Sequence, residues 1–203
     1  RFYNSGQVCD GLKRLIVHES KFGETVKKLS EILEKKKVGD PTDQTTDIGP
    51  LVAKRQVDLL TSQIDDSVKQ GAKIAFKSKM SADLKGAFYA PIILTNIKTD
   101  MRVWKEEVFG PVLPIITFKT EEEAITLAND TDYGLGGYLF TEDKEKADRV
   151  AKKIKTGMIS VNNTMYLNPA DPWGGFKKSS IGRGNGKFGL REVSQIKIVA
   201  TEK

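Results

Sequence analysis

Apolar positions along the chain switch repeatedly between two periods, and the switching predicts the elements. Leu15-Ile16-Val17 is a short continuous apolar run of the kind that forms a buried strand. Phe22, Val26, Leu29, Ile32 and Leu33 then recur at helical spacing, predicting a helix from Lys21 to about Lys37, with Lys35, Lys36 and Lys37 at the negative end of its dipole. Gly39-Asp40-Pro41 and Gly49-Pro50 break that period, so residues 38–50 read as a loop. Val57, Leu60, Ile64 and Val68 mark a second helix, with Gly71 as its stop. Residues 73–76 read as a strand, 77–86 as a polar loop and 90–94 as the next strand, with Pro91 confined to its start or to an edge.

The second half repeats the alternation. Val112 to Phe118 reads as a strand, and Thr120-Glu121-Glu122-Glu123 is a capping-box signature opening a helix to about Asn129. A strand follows at residues 138–140, then a helix marked by Ala147, Val150, Ala151 and Ile154 and ended before Gly157, then a strand at 159–161. Residues 196–201 alternate apolar and polar, as a strand exposed on one face. Strands separated by helices predict an α/β fold: a doubly wound, mostly parallel sheet with helices on both faces.

With 203 residues the chain can bury one substantial core, and 38% hydrophobic with 30% charged residues is the composition of a globular protein. One cysteine excludes an internal disulfide and suits a reducing compartment; with no membrane-length apolar run and no signal peptide, the expectation is a cytoplasmic protein that does not meet a membrane. The net charge of +6 comes from 33 Lys plus Arg against 27 Asp plus Glu. Those cations are spread over helix faces among glutamates, without an aromatic-studded stripe, so nucleic acid is not an expected partner. The chain opens on Arg1 and reaches a functional-looking loop within a few residues, which suggests a piece of something longer.

Three stretches carry candidate chemistry. In Asn4-Ser5-Gly6-Gln7-Val8-Cys9 the single thiol lies on a polar, glycine-containing loop: Gly6 leaves an approach to the sulfur, Asn4 and Gln7 bring amide dipoles, and Lys13 and Arg14 bring positive charge. Read by itself, a lone cysteine beside Val8 is more often an inert, buried small hydrophobe. In Trp104-Lys105-Glu106-Glu107-Val108-Phe109-Gly110-Pro111 a carboxylate stands two residues from an aromatic ring, and alone this reads as a turn entering the next strand. The third stretch runs from Val161-Asn162 to Pro172-Trp173-Gly174-Gly175-Phe176. A fourth, Gly184-Asn185-Gly186-Lys187-Phe188-Gly189, fits the dinucleotide-binding glycine pattern but follows no strand, and reads as a glycine-rich turn.

In order and separation the first three stretches resemble the Gly-Gln-x-Cys, Glu-x-Phe-Gly-Pro and Pro-aromatic-Gly-Gly motifs of the aldehyde dehydrogenase superfamily. The resemblance implies a catalytic domain over residues 1–193 that begins just before the nucleophile, and an oligomerisation strand at 194–203. The family's N-terminal cofactor-binding domain, oxyanion-hole asparagine and general-base glutamate would lie ahead of these residues. It implies Cys9 as the nucleophile, with its backbone N–H in the oxyanion hole, and Glu107 and Phe109 as contacts to the ribose and ring of NAD or NADP. Trp173 and Leu167 are implied as substrate contacts, with no metal, and Asn162 reads as structural. The implied reaction oxidises a small-molecule aldehyde through a cysteine thiohemiacetal and thioester, in a homo-oligomer or with a complementing N-terminal half. Departures include Asp10, a carboxylate that opposes thiolate formation, and Ser180 and Gly184 around the Gly182-Arg183 pair. The alternative is a non-catalytic assembly or interaction module.

Overall fold

A computed structural model describes residues 1–163 and 168–202 of the chain. The chain divides into two compact units, Arg1–Asp130 and Thr131–Lys203.

The first unit runs β1 (Leu15–His18), α1 (Phe22–Glu34), α2 (Lys54–Lys69), β2 (Lys73–Lys77), β3 (Ile92–Thr95), α3 (Arg102–Lys105), β4 (Val112–Phe118) and α4 (Glu121–Asn129). Its sheet has the order β1-β4-β3-β2, with β1 and β3 parallel to β4 and β2 antiparallel to β3. The sheet is therefore mixed. The antiparallel edge follows from the connection: β2 passes into β3 through residues 78–91 with no helix to carry the chain back for a parallel pairing.

Both faces of this sheet are covered. Ile93, Leu113 and Ile115 point to one side, where Leu33, Val26, Leu29 and Phe22 of α1 pack on them. Ile92, Leu94 and Val112, one residue out of phase, point to the other, against Leu60 and Ile64 of α2, Val103 and Trp104 of α3 and Leu127 of α4. The alternation of side chains along a strand explains why β3 reads as a continuous apolar run: its four residues are all buried, whichever face they take. The four-residue α3 has no sequence signal, being too short to show a helical period, although it buries Val103 and Trp104. Ile32, on the expected apolar face of α1, is 55% exposed.

Helix starts follow local chemistry. At α4 the Thr120 Oγ1 accepts from the Glu123 N–H at 3.2 Å, and the Glu123 carboxylate reaches back to the Lys119 N–H at 2.7 Å. The acidic residue therefore caps one position earlier than the Thr120 N–H of the standard box. The expected stop at Gly71 is also seen, its N–H bonding to the Val68 carbonyl.

The second unit contains β5 (Tyr133–Gly134), β6 (Gly136–Leu139), α5 (Lys144–Lys153), β7 (Met158–Val161), β8 (Phe176–Lys177) and α6 (Gly186–Glu192). β6 and β7 are parallel around α5, while β5 and β8 form a separate antiparallel pair. Residues 184–189, expected as a turn, instead lead into the seven-residue α6, because Lys187, Leu190, Arg191 and Glu192 are good helix formers once Gly186 has turned the chain. No ladder forms over residues 196–201, where Ile196, Ile198 and Val199 are exposed: a strand needs a neighbour, and no described residue of this chain supplies one.

Candidate active site

The cysteine loop is built by an unusual backbone. Asn4 and Ser5 take left-handed conformations, φ 47° and 55°, and Gly6 follows at 74°. The short polar side chains that tolerate this region also hold it in place: Ser5 Oγ donates to the Gly49 carbonyl at 2.8 Å, and Asn4 Nδ2 to the Gln7 carbonyl at 3.2 Å. Gln7 anchors the loop to the segment before α2, accepting from the Val52 N–H at 2.8 Å and donating to the Pro50 carbonyl at 3.4 Å. The amides of Asn4 and Gln7, expected near the sulfur as dipoles, are thus spent on the scaffold. The next four residues form a tight turn, the Gly11 N–H bonding to the Val8 carbonyl at 3.2 Å. Cys9 stands second in that turn and is exposed, which excludes the inert buried thiol.

The role expected for Gly6 is corrected. Gly6 is buried, and a methyl group added to it would overlap the Gly110 carbonyl, so the missing side chain serves close approach of two backbones rather than access to the sulfur. Gly110 is in turn pressed against the Leu60 side chain of α2. The Arg1 guanidinium encloses the same stretch, donating to the carbonyls of Val112 at 2.8 Å, Val108 at 2.5 Å and Gly110. The first two sequence motifs are therefore brought together inside one unit.

The Glu106-to-Gly110 segment is held from below by α2. Gln56 Nε2 donates to the Phe109 carbonyl at 2.8 Å, and Gln63 Nε2 donates to Glu106 Oε2 at 2.9 Å and to the Glu107 carbonyl at 3.3 Å. Gln56, Leu60 and Gln63 stand four and three residues apart, so one stripe of α2 meets the whole segment. Glu106 is a structural residue: Arg102 grips it with two nitrogens, at 2.7 and 3.0 Å, and holds its carboxyl below the usual range, with Gln63 adding to the effect. Val108 is 1% exposed, whereas the Glu107 side chain stays 43% exposed and the Phe109 ring is half-buried.

Lys13 and Arg14, paired in sequence as cations near the thiol, separate in space. Arg14 turns to the end of α4, donating to the Asp130 carbonyl at 2.7 Å and stacking over Trp104 at 4.4 Å. Lys13 turns inward. Its ammonium donates to the Val8 carbonyl at 2.6 Å, lies 3.6 Å from Glu107 Oε1 and sits 4.5 Å above the centre of the Phe109 ring. Burial pushes its pKa down to about 8, the positive charge of Arg1 adds to that fall, and Glu107 and Cys9 oppose it. Sequence reading supplied the charge at position 13 but not its reach to Glu107 and Phe109, which no local pattern encodes.

In the second unit Trp173 is half-buried and its backbone pairs with Gly184, N–H to carbonyl both ways at 2.8 and 2.7 Å. Asn162, in the left-handed region at φ 53°, exchanges two hydrogen bonds with the Thr141 backbone through its amide, as a structural residue would. Leu167 lies outside the described residues. Among the described residues no group of three His, Cys, Asp or Glu is placed to hold a metal, and no helix is long and apolar enough to cross a membrane.

The arrangement in the first unit fits a nicotinamide cofactor's demands on this part of a site. An exposed carboxylate can accept from a ribose diol, and a half-buried aromatic ring beside it offers a flat surface. The model of the aldehyde dehydrogenase family matches residues 1–199. The chain is 40% identical over 202 residues to a chloroplastic betaine aldehyde dehydrogenase of Atriplex hortensis, covering 99% of this chain and 40% of that protein. Against retinal dehydrogenase 2 of Rattus norvegicus it is 41% identical over 201 residues, covering 99% of this chain and 39% of that protein. Among solved structures, betaine aldehyde dehydrogenase from Staphylococcus aureus in complex with NAD+ superposes with a TM-score of 0.89 at 39% identity, over 94% of this chain and 38% of that one. Succinate-semialdehyde dehydrogenase from Burkholderia pseudomallei superposes equally well, with a TM-score of 0.89 at 37% identity over 94% of this chain and 39% of that one. The chain spans about two fifths of the length of the curated relatives it matches. Through its three motifs, its α/β architecture and these matches, the chain belongs to the aldehyde dehydrogenase family.

Proposed function

We propose that the chain is the catalytic portion of an NAD(P)-dependent aldehyde dehydrogenase, with Cys9 as its nucleophile. The observation that carries this is the exposed Cys9 thiol on a loop locked, through Gly6 and Arg1, to the segment bearing Glu107 and Phe109. The Cys9 thiolate adds to the aldehyde carbonyl, and the new oxyanion accepts from the Cys9 backbone N–H. Glu107 accepts from the ribose hydroxyls and Phe109 supports the ring beside it. When bound, the nicotinamide supplies the acceptor for the hydride that leaves the tetrahedral carbon, converting the thiohemiacetal to a thioester. Water then hydrolyses the thioester, releasing the carboxylic acid and restoring the thiol.

In the second unit the reading assigns Trp173 and Leu167 to substrate contact. It extends to a doubly wound sheet in the whole catalytic domain, over residues 1–193, and to pairing of residues 194–203 with a second copy or another strand. The rest of the relatives' length supplies the remaining cofactor contacts, on this polypeptide or on a complementing one. Relatives named for betaine aldehyde, aminoaldehydes and retinal support an aldehyde substrate class without choosing among them.

The test is made on the whole protein that carries this chain. Cys9→Ser should lower kcat for aldehyde oxidation by about 10⁴-fold or more, while NAD affinity, measured by equilibrium binding, stays within about twofold. Aldehyde oxidation at near wild-type rate in Cys9→Ser would remove the nucleophile assignment. Iodoacetamide labelling provides the second reading: a non-catalytic assembly module, which the exposed Ile196 and Ile198 favour, would label Cys9 no faster than a free-thiol control.

A further inference from the structure

Lys13 touches both halves of the proposed site. Its side chain is only 22% exposed, yet its ammonium carries three contacts: the Val8 carbonyl, the Glu107 carboxylate and the Phe109 ring. The Val8 carbonyl immediately precedes Cys9 and already closes the turn that presents the thiol, accepting from the Gly11 N–H. A carbonyl oxygen has two lone pairs, and here both are used, one by the turn and one by Lys13. The same ammonium lies 3.6 Å from Glu107 Oε1 and 4.5 Å above the Phe109 ring, and so bridges the turn to that segment. An arginine in this place would be a planar fork; the compact ammonium can meet a carbonyl, a carboxylate and a ring face at once.

We propose that Lys13 is a positioning residue that, through the Val8 carbonyl, Glu107 and Phe109, sets the Cys9 turn and the Glu107–Phe109 segment in one register and brings positive charge to the turn that presents the thiol. The inference rests on the reading of Cys9 as nucleophile. The charged groups that face the Lys13 ammonium are Arg1, which repels it, and Glu107 and Cys9, which attract it. Because burial and Arg1 bring its titration down to about 8, the charge is present at neutral pH and lost in mildly alkaline solution. Below that point the ammonium favours the thiolate and holds the turn. Above it the amine keeps at most a neutral hydrogen bond to Val8 and no longer pairs with Glu107.

The experiment measures the second-order rate of Cys9 alkylation by iodoacetamide, as a function of pH, in the whole protein and in its Lys13→Met variant. The ratio of the two rates reports how far Lys13 shifts the thiol toward thiolate at each pH. We expect wild type to react about fivefold faster near pH 7. That ratio should fall toward one by roughly pH 9.5, as Lys13 loses its proton and the thiol becomes ionised in both proteins. A ratio near one throughout, or one that does not change with pH, overturns the inference, since a purely structural lysine would give a constant offset. Should Lys13→Met not fold, Lys13→Gln, which keeps a donor for Val8 without charge, is read in the same way. Wild-type Cys9 that alkylates no faster than a free thiol overturns the nucleophile assignment and this inference with it. A fast wild-type rate with a constant ratio overturns the inference alone.

Discussion

Two glycines decide whether the site assembles, and they fail differently. At Gly6 a side chain would meet backbone, the Gly110 carbonyl, in a conformation of positive φ; at Gly110 it would meet only the end of the Leu60 side chain. Backbone cannot move aside without pulling the Glu107 segment with it, whereas a leucine can change rotamer at modest cost. We therefore expect Gly110→Ala to cost about 1–3 kcal/mol of stability. Gly6→Ala should cost more and also slow Cys9 alkylation, both read by denaturant unfolding and thiol labelling. Equal costs would mean that the two loops are not held in contact through this pair. At the same scale Glu106 and Glu107 illustrate how neighbours diverge: Arg102 and Gln63 bind the first, and the second is left facing solvent and Lys13.

At the scale of elements, α2 is the support on which the site rests. Gln56 and Gln63 donate to the Phe109 and Glu107 carbonyls of a segment that has no ladder of its own, and Leu60 packs between them against Gly110, which is how an irregular loop can keep a fixed shape. α4 is the counterpart whose start is set locally. Removing its cap with Thr120→Ala should cost about 1 kcal/mol, measured as a shift in the denaturant midpoint, with no change in the rate of Cys9 alkylation. A change in alkylation would show that the helix start couples to the thiol loop. Pattern reading recovered α1, α2, α4, α5 and the strands of the four-stranded sheet because the helices carry apolar residues at helical spacing and the strands are short apolar runs between turn residues. It passed over α3 and β8, which are four and two residues long and hold no complete period.

At the scale of the whole molecule, the exposed tail is the feature that asks for a partner. Ile196 is 98% and Ile198 88% exposed, on the alternating stretch that forms no ladder within the described residues. Under the proposed function this stretch pairs with another strand, and Ile196→Lys with Ile198→Lys should lower the oligomeric state of the whole protein, followed by light scattering on a sizing column. An unchanged mass would remove the tail from the assembly. The +6 net charge is uneven: the first unit holds 20 Lys plus Arg against 19 Asp plus Glu, a net +1, and the second 13 against 8, a net +5.

The sequence by itself determined the alternation of strands and helices, the α4 cap, the single thiol and the three motifs that mark the family, because these are encoded by spacing and residue type over short stretches. Only the tertiary structure decided that Gly6 packs on Gly110, that Arg1 encloses residues 108–112, that Arg14 leaves the site while Lys13 enters it, and that β2 closes the sheet antiparallel. Those contacts join residues up to 116 positions apart. No local period or propensity reports on them, since they come into being only when the sheet buries both its faces and brings the two loops to the same place.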